Sequence, residues 1–225
     1  MTRQVRMAPD GMRIILPGTW TRIPVDEPQR TLDFVKRVVK RQAGTADRLA
    51  RTRRDTVQEL MGSAREAAQI GVHSYFMSLE ILPGVPFPAA LLFLDQDWPE
   101  AARPLAEAGD LGAALEAAYA PLETATASFG PMGRRYETVT QQIGDEEMLT
   151  LRLEYFVPYP DGSRVLLARV NVPNIPAAEP FAVLFNEIID SISFPDVDAA
   201  ASTDAEAEPA APEDAADAVT ERVGA

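Results

Sequence analysis

The chain has 225 residues, of which 46% are apolar and 24% charged, with no cysteine and a formal net charge of −13. The missing cysteine excludes disulfides, thiolate metal sites and a thiol nucleophile. The charge is segregated: residues 1–65 carry +7, residues 195–225 carry −8 and the stretch between them −12, a polarity that serves solubility, self-association or contact between unlike regions.

At the N-terminus the apolar run covers only Met12 to Leu16, contains Arg13 and stops at Pro17. A secretory signal needs roughly 7–15 apolar residues, and a membrane span about 18 without interruption. Neither is present, so the expectation is a cytoplasmic protein without a membrane span. The stretch MRIILPGTWTRIPV reads as a short strand at Met12–Leu16, a Pro-Gly turn, and an extended piece offering Trp20, Ile23 and Val25 to a core. DEPQRTLDFVKRVVKRQAG then carries helix punctuation: acids at Asp26 and Glu27, Pro28 near the first turn and Gly44 past the end. Leu32, Val35, Val38 and Val39 recur at helical spacing. A second, longer helix, capped by Thr45, is expected to run to about Ile70.

From Val72 the period changes to that of strands. VHSYFMSLEIL and FPAALLFLD are extended runs joined by PGVPFP, a proline-rich link expected to be too stiff for a tight turn and to protrude. Residues 97–120 return to helix, centred on DLGAALEAAYA. Four strands follow, near 122–129, 134–143, 147–157 and 164–172, with hairpin chemistry at FGPMGR and YPDGSR. Leu149, Leu151, Leu153, Tyr155 and Val157 alternate, as do Leu166, Ala168, Val170 and Val172, the mark of an antiparallel sheet with one buried and one exposed face. A last helix from about Ala178 presents Phe181, Leu184, Phe185, Ile188, Ile189 and Ile192, and Pro195 ends it. Residues 195–225, rich in Ala, Pro and acid, are expected to form a disordered tail. Residues 1–194 are thus predicted to be a single α+β domain, an antiparallel sheet of six to seven strands flanked by helices.

The strand followed by Leu-Pro-Gly-x-Trp (ILPGTW, residues 15–20) and the final helix closing on IIDSISF (residues 188–194) resemble the Mog1/PsbP-like superfamily. The resemblance covers both ends of the domain and extends to the middle only in element order. It implies an α/β/α sandwich and a non-catalytic domain that binds other proteins. Trp20 and Phe194 match the pattern as core residues, and the resemblance assigns no functional residue. The two consecutive basic helices and the acidic tail depart from the family outline and leave the partner unspecified.

No catalytic, cofactor-binding or metal-binding residue is assigned. His73 is the only histidine, which is read as excluding a two-histidine metal site and a histidine-based triad. Asp145, Glu146 and Glu147 are read as a solvated hairpin turn, whereas Glu154 could serve acid/base work as one of a carboxylate pair. Glu80, in FMSLEIL, is expected on the wet face or beside an arginine. Arg48, Arg51, Arg53 and Arg54 form a candidate anion contact, since guanidinium forks match phosphate oxygens. Asp47 and Asp55 at four-residue spacing pair off part of that cluster, and the acidic body disfavours nucleic acid. GPMGRR lacks both the phosphate-loop spacing and a following helix. Val85 and Phe87, on the proline frame of LPGVPFP, are the candidate protein-binding residues. The expected function is a non-catalytic protein-binding module, an adaptor or chaperone-like accessory of a larger bacterial assembly, without a cofactor and able to form a homodimer. The rivals are a small-molecule binder or enzyme with a pocket between sheet and helices, and an anion contact through the arginine helix.

Overall fold

The computed structural model describes residues 2–7, 11–43, 49–143, 146–173 and 179–195. Two short strands come first, β1 (Thr2–Arg6) and β2 (Arg13–Pro17), paired antiparallel with Val5 opposite Ile14. β1 was not among the expected elements. Its sequence TRQVR has a single apolar residue, and pairing with β2 is what makes it a strand. After the Pro17-Gly18 turn, β3 (Thr19–Ile23) joins the main sheet, and the indole of Trp20 donates to the Pro17 carbonyl at 2.7 Å.

The main sheet continues with β4 (Ser74–Leu82), β5 (Val85–Pro86), β6 (Ala90–Gln96), β7 (Glu123–Ala127), β8 (Gly130–Ile143), β9 (Glu146–Pro158) and β10 (Val165–Pro173). Its order is β3-β4-β6-β10-β9-β8-β7, with β5 beside β4. Every neighbouring pair is antiparallel. Of the alternating residues of β9 and β10, Leu151, Leu153, Tyr155, Val157, Leu166, Ala168, Val170 and Val172 join one core, but Leu149 is 55% exposed, and the face expected to be wet buries Phe156, Val165 and Leu167 in a second core. The face of the first core is covered by α5 (Glu179–Asp190) through Phe185, Ile188 and Ile189, and by Met12, Ile14 and Leu16 around β2.

The opposite face is only partly covered. The helical hairpin α1 (Pro28–Ala43) and α2 (Ala50–Gln69) lays Ala64 and Ala67 against Tyr75 and Leu92. At another part of this face sit α3 (Arg103–Glu107) and α4 (Leu111–Tyr119), with the Tyr119 ring stacked on Phe156 at 4.2 Å between centroids. The fold is α+β, with helices on both sides of an antiparallel sheet. Between the two helical covers, polar side chains of β8, β9 and β10 form the surface.

Two further expectations are corrected. Residues 97–120 do not form one helix: Gly109, at φ 82°, ends α3, and Asp110 caps α4 by accepting from the Ala113 amide at 3.1 Å. The PGVPFP link is not too stiff for a tight turn, although residues 82–85 are exposed. Leu82 pairs directly with Val85, so Pro83 and Gly84 make a two-residue turn, with Gly84 at φ 76° supplying the left-handed position such a turn requires. The Thr45 cap and the acidic segment beyond Pro195 lie outside the described residues.

Candidate functional site

Where the helical covers leave a gap, α2 and the sheet bound a groove of about 550 Å³. One wall is mixed: α2 contributes apolar Leu60, Ala67 and Ile70 interspersed with Glu59, Ser63, Glu66 and Gln69, and β4 and β6 add Tyr75, Met77 and Leu92. The floor is polar, with Thr150 and Arg152 from β9 and Arg169 and Asn171 from β10. Glu59 to Ile70 spans about 16 Å of helix at 1.5 Å per residue, room for about five extended residues. Tyr75 stays a neutral phenol, because burial pushes its pKa up to about 12.

The floor follows from strand register. Arg135, Glu154 and Arg169 stand in one row across β8, β9 and β10, and Glu137, Arg152 and Asn171 in the next. Glu154 is buried and held from both sides: Oε2 accepts from Arg135 Nε at 2.6 Å, and Oε1 accepts from Arg169 Nε at 2.9 Å and Nη2 at 2.7 Å. Burial pushes its carboxyl pKa up, but the two guanidinium hydrogen bonds and their charges outweigh burial and hold it below its ordinary value. Glu154 is therefore an ionised anchor whose two oxygens are engaged by Arg135 and Arg169. Arg152 donates through Nη1 to Glu137 at 3.0 Å, while its Nε and the Ser78 Oγ are buried without a hydrogen-bond partner. Two unsatisfied donors beside a groove are a costly arrangement unless something is bound there.

A second polar cluster closes one end of the sheet. Asp95 accepts from the Tyr159 hydroxyl at 2.8 Å and pairs with Arg164 at 3.1 Å, and His73 Nε2 lies 3.5 Å from it. His73 Nδ1 is 3.2 Å from Ser74 Oγ. The histidine count was therefore an insufficient reason to exclude a triad, since one histidine is enough and Ser74, His73 and Asp95 stand in sequence. Burial decides instead: Ser74 is 0% exposed, so its hydroxyl is closed to any substrate. Burial raises the Asp95 pKa, and His73, Tyr159 and Arg164 together bring it below its ordinary value. Arg164 also lies over the Tyr159 ring at 4.3 Å. The cluster fastens the strand ends.

The expected site residues are divided by the fold. Val85 is exposed at the β4–β5 turn, but Phe87 is buried and stacks on Phe181 at 5.6 Å and Phe185 at 6.3 Å. Phe87 is thus core and not a docking residue, because the tight turn brings the chain straight back under α5. Glu80 accepts from the Gly84 amide at 3.3 Å and steadies that turn. Arg53 and Arg54 meet Lys36 and Lys40 of α1 across a cleft of about 520 Å³ floored by Val39 and Val57. Arg51 instead pairs with Asp55 at 3.8 Å on the exposed helix surface. Arg48 and Asp145 lie outside the described residues. Glu147 is exposed, next to the start of β9.

Sequence reasoning missed the Arg152–Arg169 floor. Its only trace is the polar alternation of Thr150, Arg152 and Glu154 with the leucines of β9. Among the described residues no group of three or more potential ligands could hold a metal ion, and no helix is long and apolar enough to cross a membrane. No protein-family model matches the chain, and no curated protein matches it in sequence.

Proposed function

We propose that the chain is a non-catalytic protein-binding module of Mog1/PsbP-like character that receives an extended segment of a partner protein in the groove between α2 and the sheet. The observation that carries this reading is the groove's composition: a wall long enough for several residues, whose apolar side chains alternate with Glu59, Glu66 and Gln69, faces a floor of arginine, threonine and asparagine hydrogen-bonding groups. A peptide offers both chemistries, apolar side chains for the wall and backbone carbonyls for the arginines. Exposed Ile70, at the end of α2, extends the apolar surface.

The test is affinity purification of the full tagged chain from its source cells beside a Ser63→Arg variant, which places a long side chain in the groove from an α2 position that is not fully buried. A partner protein retained by the wild type and lost from the folded variant supports the reading. Equal capture by both proteins rejects the groove.

A second reading has its own support. The buried, unpartnered Arg152 Nε and Ser78 Oγ suit a small ligand bearing a carboxylate better than a peptide backbone. A stoichiometric metabolite detected by native mass spectrometry of the purified protein favours this reading over the first.

A further inference from the structure

β7 covers only Gly130–Arg134 of β8, while β9 pairs with β8 on its other side along Gly133–Ile143. Among the described residues, nothing pairs with the outer edge of β8 from Arg135 to Ile143. At about 3.4 Å per residue this is an open edge of roughly 30 Å. Such edges recruit another strand through their free N–H and C=O groups, and proteins ordinarily blunt them with outward charges, prolines or brevity.

β8 uses none of these devices. Its only charges over this stretch, Arg135 and Glu137, are both engaged across the strand pair with Glu154 and Arg152 of β9. Thr138 to Ile143 reads TVTQQI, with no charge, proline or glycine and with β-branched residues at four of its six positions. Beside this edge, on the face that carries α5, Tyr136 is 45% and Leu149 55% exposed, and Leu149 sits opposite Thr140 of β8. An unpaired edge and an exposed apolar margin therefore coincide.

We propose that this edge is the interface of a homodimer in which β8 pairs antiparallel with β8 of a second copy, so that the two sheets continue as one. Self-complementarity favours a second copy as the occupant. The twofold axis that uses the whole edge passes through Val139. It places Thr138 opposite Thr140, Glu137 opposite Gln141, Tyr136 opposite Gln142 and Arg135 opposite Ile143, so no charge faces its like. The net charge of −13 on each copy opposes association at long range, and salt screens that repulsion. Dimerisation accordingly tightens as salt rises. This interface is independent of the α2 groove, and either can fail without the other.

The test is analytical ultracentrifugation of the full chain over a range of protein and salt concentrations. The expected result is a monomer–dimer equilibrium that shifts toward dimer with salt. Val139→Lys and Val139→Glu each set two like charges against each other at the twofold axis and give monomers, whereas an equimolar mixture of the two restores the dimer. Hydrogen exchange on the wild type supplies a check that needs no variant: alternate amides between Tyr136 and Gln142 slow as the dimer forms. A wild type that remains monomeric at its solubility limit overturns the proposal. So does a Val139→Lys protein that dimerises as tightly as the wild type, or a dimer in which those edge amides still exchange fast.

Discussion

The backbone amide of Ile15 in β2 donates to the hydroxyl of Ser191 at 2.9 Å, joining residues 176 positions apart. Beside it Arg13 and Ser193 exchange both backbone hydrogen bonds, at 3.0 and 2.9 Å. The chain just after α5 is thereby stitched to β2, and Ile188, Ile189 and Ile192 meet Ile14 and Leu16 in one core. Replacing Ser191 by Ala removes the acceptor for the Ile15 amide and is expected to lower unfolding free energy by about 1 kcal/mol, measured by urea denaturation. An unchanged midpoint would show that water satisfies this amide equally well.

Glu154 anchors two arginines from a buried position. Glu154→Gln keeps the shape and loses the charge, which leaves both guanidinium groups with weaker partners. The expected cost is roughly 1–3 kcal/mol, read from chemical denaturation at neutral pH. A smaller loss at Arg135→Gln is expected, since that side chain is about half exposed.

Acid stability follows from the same carboxylates. Glu154 and Asp95 both titrate in the folded protein below their ordinary values of 4.5 and 3.8. The unfolded chain therefore takes up protons at higher pH than the folded one. Their contribution is fully present above those ordinary values and is lost as pH falls through the lowered folded values. Thermal unfolding followed from about pH 6 to about pH 3, across the carboxylate range, should show a falling midpoint at the acid end. The decline should be shallower in Glu154→Gln, and an identical decline would remove Glu154 as a source.

Phe87 and Val85 stand two positions apart in sequence with opposite fates. Phe87→Ala empties a stack with Phe181 and Phe185 and is expected to cost about 3–5 kcal/mol. Val85→Ser, at an exposed turn position, should change stability by no more than about 0.5 kcal/mol. Equal effects in denaturation would contradict the burial of Phe87.

Gly18 stands at φ 81°, and a Cβ there would lie 2.7 Å from the Ile81 carbonyl oxygen. Gly18→Ala combines left-handed backbone strain with a clash against main chain that cannot turn aside. A loss of roughly 2–3 kcal/mol is expected, visible as a lower thermal midpoint, and a neutral substitution would mean that β4 yields at this point.

Local patterns were sufficient to read much of this architecture from the chain. The period-two alternation of β9 and β10 fixed their buried face, because side chains of a strand point to alternate sides. Helical spacing likewise marked α1 and α5. The closing SISF segment was legible as an end, though not as the strap across β2, because the hydroxyl of Ser191 has meaning only once Ile15 lies beside it. β1 was illegible for the same reason, with one valine in five residues and a partner supplied by pairing. Tertiary structure alone decided that Phe87 turns inward while Val85 stays out, since the outcome depends on a two-residue turn that returns the chain under α5. It also decided the groove floor: Arg152 and Arg169 belong to different strands, and only strand register places them side by side. The free edge of β8 arises from a mismatch between a long strand and a short neighbour, which no single segment reveals. Composition and periodicity act over a few residues and determined the elements; which surfaces stay open depends on how far each element reaches past the next, and that is settled by packing.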